Sequence, residues 1–304
     1  MNRRFPDRIF RRLTGAIAWT QFALVLSLVL GLLLAAVPVF LIGSDDQESG
    51  GFPALTHQGS RLSLFLLGTA TRTLLMSLAA IPAGMLTAVY LAEYAPSGAR
   101  APRILRWLLQ GLAGVPSVIF GLLGLGFWVG AVGGGLDRMA GDPTATVWGR
   151  PGLLWASLTL AMMALPVLVI STEQALRSVP QELRLAAMAL GATRLQVVMR
   201  TTLPNAWPSI ASGVILTVGR AFGEVAPLLF TGAVMETQRS LAADEPFMDL
   251  AHQVFILGTR SAEHPSVHPL WLTCVWVLVF LSLLFHAAAA VVRSRTLRAE
   301  RDHP

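Results

Sequence analysis

The sequence predicts an all-α, polytopic membrane protein with six transmembrane helices. Hydrophobic residues make up 54% of the 304 residues and charged residues only 13%, whereas soluble domains carry roughly a quarter charged residues. The chain also contains six apolar stretches of about 20 residues or more, the length that crosses a bilayer. The predicted spans are residues 16–43, 68–92, 104–132, 153–172, 209–234 and 269–292.

The distribution of arginine predicts the orientation of these spans. Of the 23 basic residues, 16 lie in the N-terminus, the 93–106 turn, the 173–204 loop and the tail after Val292, and five lie in the other loops. The positive-inside rule therefore places both termini in the cytoplasm. The domain prediction is a cytoplasmic N-terminus (1–15), a transmembrane domain (16–292) containing a cytoplasmic loop (173–208), and a cytoplasmic tail (293–304).

Residue types that are missing or isolated exclude several chemistries. The chain has no lysine, so it cannot form a phosphate-binding P-loop, and any nucleotide energy must come from another subunit. The single cysteine, Cys274, has no partner for a disulfide and is predicted to be a packing residue. No metal-ligand pattern or nucleophile with its base is present, which predicts no cofactor and argues against an intramembrane enzyme.

Charged and kinking residues within the spans have ordinary explanations. Arg72 lies about one turn into the second span, and we expect its side chain to snorkel towards the membrane surface rather than line a substrate path. The segment from Leu62 to Leu67 ahead of it is expected to lie along the interface. Pro82, Pro166 and Pro227 predict kinks, which membrane helices tolerate.

The loop 173–208, called the elbow below, has the pattern of two short helices. Ser178 and Gln181 predict a capping box at the start of the first helix, and Gly191 suits the left-handed turn at its end. Thr193 and Gln196 predict a second capping box, and the following helix should stop at Leu203, because Pro204 disfavours helical geometry there. The alanine-rich face of the first helix, with Leu183 and Leu190, either docks a soluble partner or packs on the protein itself.

The elbow resembles the EAA loop of ABC importer permeases. In the stretch "LAAMALGATRLQVVMRTTLP", five positions match the consensus: Ala186, Ala187, Gly191, Leu203 and Pro204. Leu185 stands where that consensus has Glu, and Thr201 where it has Ile. The resemblance implies a type I ABC importer permease fold in which the elbow holds the coupling helix that contacts a cytoplasmic ATPase.

The fifth span, in the stretch "GRAFGEVAPLLFTG", contains Arg220 and Glu224. They are four residues apart and share a helix face with Thr217 and Thr231. Arg220 lies roughly 16 Å into the span from Ser209, at a depth where a charge costs on the order of 2.5–3.5 kcal/mol. Two explanations remain open: a static ion pair between helices, or a substrate path in which Arg220 donates to an oxyanion.

This stretch resembles the fifth-span motif of A-type phosphate ABC importer permeases (PstA), and "LAGVPSVIFGLLGLG", Leu112 to Gly126, resembles the third-span motif of phosphate permeases. The resemblance implies a bacterial inner-membrane subunit that imports inorganic phosphate and has no enzymatic activity. It implies as partners a second homologous permease, two cytoplasmic ABC ATPase subunits and an extracytoplasmic phosphate-binding protein. It also implies that Arg220 and Glu224 matter for transport.

A selectivity hypothesis follows from the charge state of the anion. Phosphate near neutral pH keeps a proton that it can donate to the Glu224 carboxylate, whereas sulfate has none and would be repelled. The alternative function is a permease for another oxyanion or small solute, such as sulfate, molybdate or an amino acid.

Overall fold

The computed structural model describes residues 52–96, 98–140, 146–234, 242–261 and 268–299, and its regular elements within these ranges are helical. The predicted first span, 16–43, and both predicted cytoplasmic termini, apart from residues 293–299, lie outside the described residues. Eleven α-helices are described, some extended by π-helical turns. They are α1 (Phe52–Val89), α2 (Arg100–Ala113), α3 (Ser117–Gly124), α4 (Gly134–Ala140), α5 (Leu153–Arg177), α6 (Gln181–Ala189), α7 (Arg194–Val197), α8 (Leu203–Phe222), α9 (Leu228–Thr231), α10 (Leu250–Ser261) and α11 (His268–Ala299).

Four helical stretches in the described residues are long and apolar enough to cross a membrane. They are Arg61–Tyr94, Ser117–Ala140, Leu153–Arg177 and Pro269–Ser294. Three of them correspond to the predicted spans 68–92, 153–172 and 269–292. The segment from Leu62 to Leu67, expected to lie along the membrane interface, instead belongs to the continuous helix α1 and to the stretch Arg61–Tyr94.

The predicted third span begins later than expected, because residues 104–113 form a separate amphipathic helix, α2. This helix stops at Gly114, and Pro116 precedes the first residue of α3. Proline fits immediately before a helix but lacks the N–H that a helix interior needs. From Ser117 the chain runs through α3, the π-helical segment Leu125–Gly133 and α4.

Helix α5 is the central helix of the bundle and the most buried of the four. One apolar cluster joins it to α1 and α9 through Met76, Leu160, Leu168 and Leu228. A second cluster, around Leu91, Leu109, Val169 and Ile210, joins α5 to α2 and α8 near the elbow. A third cluster, around Phe65, Leu250 and Cys274, joins α1, α10 and α11. Cys274 is a buried, unpaired thiol in this cluster, as predicted.

The elbow contains the two predicted helices, α6 and α7, but their ends differ from the prediction. The Thr193–Gln196 capping box is present, and Gly191 adopts φ +88°, the left-handed conformation expected for it. The Ser178 capping box was wrong. Helix α5 extends to Arg177, so Ser178 follows α5 and donates its hydroxyl to the Ala175 carbonyl, while Pro180 precedes α6.

The chain also remains helical at Leu203, contrary to the prediction. Helix α7 continues through the π-helical segment Val198–Thr202 into α8, and Leu203 has φ −65° and ψ −46°. In a regular α-helix the Pro204 ring would clash with the Arg200 carbonyl. The wider π turn accommodates the proline without ending the helix.

Candidate functional site

A cavity of about 600 Å³ opens beside α8, within the size range of small-molecule sites in proteins. Its wall comes from the α2–α3 connection and from α5, α8 and α11. Polar groups that line it include Ser117, Ser171, Thr217, Arg220 and His286, and apolar groups such as Phe120 and Met163 complete the wall. We call it the Arg220 cavity. The structure thus brings two of the predicted path residues, Thr217 and Arg220, to one cavity.

Arg220 lies in the last turn of α8, with 65% of its side chain exposed. Its Nε atom is 3.5 Å from Oε1 of Glu224, whose side chain is 16% exposed. That distance is at the weak limit of a hydrogen bond. No other acceptor among the described residues has a hydrogen bond to Arg220. The remaining N–H groups of its guanidinium are therefore available to a ligand in the cavity.

Glu224 is not on the same helix as Arg220, which corrects the predicted continuous span 209–234. Helix α8 ends at Phe222, Gly223 follows it, and Pro227 precedes the short helix α9. Glycine and proline end the helix because one has the flexible backbone that a turn favours and the other cannot continue the helical hydrogen bonds. The Arg220–Glu224 contact therefore joins a helix end to the turn that follows it.

The rest of the predicted polar stripe divides at this break. Thr217 faces the Arg220 cavity and donates its hydroxyl to the Gly213 carbonyl. Thr231, by contrast, belongs to α9, is fully buried and donates to the Pro227 carbonyl. Pro227 thus lies in the turn and does not kink a span.

The turn that carries Glu224 packs directly on α3 at Gly121. A Cβ atom added to Gly121 would lie 2.9 Å from the Cα atom of Pro227 and 3.2 Å from the Ala226 carbonyl oxygen. Only glycine permits the two backbones to approach so closely. This contact gives a physical reason for the first glycine of the motif "GLLGLG", because this glycine packs against the turn in the stretch "APLLFTG".

Arg72 is the charged residue whose role the sequence analysis missed, since the predicted snorkelling was wrong. Its side chain is entirely buried, and its Nε atom lies 2.8 Å from Oδ2 of Asp249, which is also buried. Its two terminal nitrogens donate to the carbonyls of Ala221 (2.9 Å) and Phe222 (3.2 Å) at the end of α8. An acidic residue inside the apolar stretch "PFMDLAHQVF" was the available signal, because such a charge needs a buried partner.

The elbow presents an apolar surface to the outside of the molecule. None of the residues of α6 is buried, and its large apolar side chains are largely exposed, up to 90% for Leu190 at its end. Ala186 and Gly191 are exposed, whereas Ala187 and Leu203 are partly exposed. Pro204 is also exposed. Of the two alternatives for the alanine-rich face, packing on the protein itself is therefore not what the structure describes.

Two contacts attach the elbow to the end of the Arg61–Tyr94 span. Arg184 of α6 lies 3.1 Å from a carboxylate oxygen of Glu93, and the Arg194 guanidinium of α7 lies over the Tyr94 ring, 5.4 Å from its centre. Both Glu93 and Tyr94 belong to the π-helical segment Tyr90–Tyr94. The elbow is thus exposed on one side and tied to a membrane helix on the other.

Comparison with known proteins identifies a family. A family model described as "Binding-protein-dependent transport system inner membrane component" matches residues 80–298. The "Probable ABC transporter permease protein YqgI" of Bacillus subtilis is 30% identical over 265 residues, covering 85% of this chain and 83% of that protein. The "Phosphate transport system permease protein PstA 1" of Mycobacterium tuberculosis is 29% identical over 238 residues, covering 78% and 70%. The PstA protein of Mycobacterium leprae is 37% identical over 164 residues, covering 54% and 48%.

Solved structures share the fold. A bacterial ABC transporter for the import of alginate contains a chain with a TM-score of 0.57 and 18% identity, covering 96% of this chain and 99% of that one. The MetNI methionine ABC transporter in an inward-facing conformation contains a chain with a TM-score of 0.51 and 20% identity, covering 80% and 98%. At such identities the likeness defines the architecture of the helices and leaves the substrate open.

Proposed function

We propose, from the premise that this chain belongs to the family of binding-protein-dependent transport system inner membrane components, that its substrate is inorganic phosphate. The chain is a multi-pass permease subunit of an ABC importer. The phosphate assignment is supported by the names of its relatives, several of which are phosphate transport permeases, and by the chemistry of the Arg220 cavity.

The observation that carries the proposal is the exposed guanidinium of Arg220 in the wall of that cavity. A guanidinium offers a planar fork of N–H donors that matches two oxygens of a phosphate, and its charge persists at any physiological pH. The weak contact with Glu224 leaves this fork available. A passing oxyanion would exchange its hydration shell for these donors and for the hydroxyl of Ser117.

Glu224 would then distinguish phosphate from other oxyanions. It lies beside Arg220 and is mostly shielded from solvent. The O–H group of monohydrogen or dihydrogen phosphate can donate a hydrogen bond to the carboxylate, whereas fully deprotonated sulfate has no such donor and would be repelled by the negative charge. Sites that depend on a hydrogen bond from the substrate strongly reject analogues that lack it.

The chain has no lysine and hence no P-loop, so the energy for transport would come from two cytoplasmic ABC ATPase subunits. They would bind the exposed apolar surface of the elbow through Ala186, Ala187, Gly191 and the neighbouring leucines. ATP-driven closure of the ATPase pair would press on the elbow and tilt the helices from inward-facing to outward-facing. A second homologous permease would complete the path, an extracytoplasmic binding protein would deliver phosphate, and both termini would be cytoplasmic.

The test is ATP-dependent uptake of labelled phosphate into proteoliposomes that contain the complete transporter. We expect Arg220→Gln to abolish uptake while the complex still assembles. Arg138→Gln is the matched control, because Arg138 is also exposed but lies outside the cavity, in the last turn of α4, and this variant should transport at the native rate.

Each result decides a different part of the proposal. Native-level uptake by the Arg220→Gln complex would show that Arg220 does not bind the substrate on the transport path. The Arg220–Glu224 ion pair would then be a structural contact. Uptake of sulfate or molybdate by the native complex, without uptake of phosphate, would overturn the substrate assignment.

A further inference from the structure

Arg72 and Asp249 form a joint between three parts of the chain that are distant in sequence. Arg72 belongs to α1, Asp249 directly precedes α10, and the carbonyls of Ala221 and Phe222 end α8. The guanidinium contacts all of them, at 2.8 Å from Asp249, 2.9 Å from the Ala221 oxygen and 3.2 Å from the Phe222 oxygen. We call this set the buried joint. Neither charged side chain has any exposed surface.

Asp249 is held by groups other than Arg72. Its Oδ1 atom accepts the backbone N–H groups of Ala251 (3.0 Å) and His252 (3.2 Å), which are in the first turn of α10. The hydroxyl of Thr69, one turn before Arg72 on α1, lies 2.9 Å from Oδ2 and accepts the Leu250 N–H at 2.8 Å. One oxygen of the carboxylate therefore caps α10, and this holds the other oxygen in place against the guanidinium of Arg72.

The two carbonyls that Arg72 binds belong to the last residues of α8, and the Ala221 oxygen also accepts the Glu224 N–H of the following turn at 3.3 Å. The last carbonyls of a helix have no partner within that helix, and a carbonyl left unpaired in a membrane bundle is destabilising. Gly223 and the turn after it end the helical hydrogen bonds at this point. One planar guanidinium can serve two adjacent carbonyls and a carboxylate together, which a lysine ammonium on a flexible stem does less well.

This helix end is also where the Arg220 cavity is built. Ala221, whose carbonyl Arg72 binds, is the residue that follows Arg220 and is itself part of the cavity wall. A shift of the Ala221 carbonyl would move the backbone of Arg220 with it. The Glu224 turn begins two residues later, so the same hydrogen bonds set the start of the turn that brings Glu224 towards Arg220.

We propose that Arg72 and Asp249 are positioning residues of the transport path, which fix the end of α8 and thereby place Arg220 at the cavity and Glu224 beside Arg220. This inference rests on the proposed function of Arg220. A positioning role differs from a purely stabilising one. If the buried joint only stabilised the fold, any pair of residues that restored the stability would also restore native transport.

The double variant Arg72→Gln/Asp249→Asn separates position from stability. Removing both charges leaves no unpaired ion in the interior, so assembly and thermal stability should recover relative to either single substitution, which leaves one buried charge alone. The glutamine amide cannot reproduce the three contacts of the guanidinium. We therefore expect assembled double-variant complexes to show a KM for phosphate raised at least tenfold and a phosphate-to-sulfate preference reduced at least tenfold.

The matched control is Arg150→Gln/Asp244→Asn, which makes the same change in an ion pair of 2.9 Å that is partly exposed and lies away from the cavity. It should keep the native KM and preference. A second variant, Arg72→Lys, keeps the charge and is expected to assemble with an intermediate KM, so the question remains decidable if the double variant fails to assemble.

A native KM and anion preference in either assembled Arg72 variant would overturn the positioning role and leave the joint a stabilising contact. Failure of the proposed substrate is a separate outcome, visible in the native complex. If the native complex carries another oxyanion, the KM and the anion preference of the Arg72 variants are measured for that anion. A KM equal to that of the native complex would still refute the inference.

Discussion

Arg72 and Arg220 are both arginines in apolar helices, yet their surroundings are opposite. Arg72 is enclosed, with a carboxylate and two carbonyls at hydrogen-bonding distance, whereas Arg220 is 65% exposed beside a single carboxylate at 3.5 Å. A buried guanidinium that already contacts three oxygens of the protein cannot also reach a ligand in the cavity. The comparison teaches that the number of partners, rather than depth in the helix, separates a structural arginine from one that is free to act.

The largest effect is expected from breaking the buried joint on one side. Asp249→Ala leaves the Arg72 guanidinium charged and without its carboxylate, and such a change typically costs about 3–5 kcal/mol. We expect a marked fall in the thermal unfolding temperature of the purified subunit and in the yield of assembled complex. A variant that unfolds within a degree or two of the native protein would mean that Asp249 does not neutralise Arg72.

A smaller effect is expected from the corresponding change beside Arg220. Glu224→Gln should leave folding nearly unchanged, because the contact is long and Arg220 is exposed. It should reduce the preference for phosphate over sulfate on the order of tenfold, equivalent to about 1.4 kcal/mol. Competition of labelled phosphate uptake by unlabelled sulfate measures this preference, and an unaltered inhibition curve would refute the role of Glu224.

The smallest effect is expected from the surface ion pair. Arg150 lies 2.9 Å from Asp244, closer than Arg220 lies to Glu224, but both partners are partly exposed. Such pairs contribute about 0–1 kcal/mol, so Arg150→Gln should change the unfolding temperature very little. A large fall in the unfolding temperature would show that the distance between the charged atoms contributes more to stability than their burial does in this protein. That result would contradict the contrast drawn between Arg72 and Arg220.

The sequence allowed prediction of features that depend on neighbouring residues. Apolar runs indicated three of the described spans, and the spacing of Thr193 and Gln196 predicted a capping box that is present. The charged and polar residues of the predicted fifth span drew attention to Arg220 and Thr217, which the structure places at one cavity. Their roles in transport, and the role of Ala186, Ala187 and Gly191 in binding an ATPase, remain predictions.

The misses arise where long-range packing overrides a local preference. Arg72 and Asp249 are 177 residues apart, and no local pattern links them. Leu203 stays helical before a proline because the preceding turn widens, and Ser178 is used by the helix before it rather than the helix after it. The break at Gly223 was hidden because the apolar run continues through it.

The helix that begins at Arg194 in the elbow has no loop before Phe222, since α7, the π-helical segment and α8 are contiguous. At about 1.5 Å per residue it forms a rod of about 40 Å. Its far end is pinned by the hydrogen bonds from Arg72, so a sideways push at the elbow acts as torque on a lever with a fixed fulcrum. In the proposed transport cycle, displacement would be largest at the elbow, and at the pinned end it would become a small rotation of the backbone that carries Arg220.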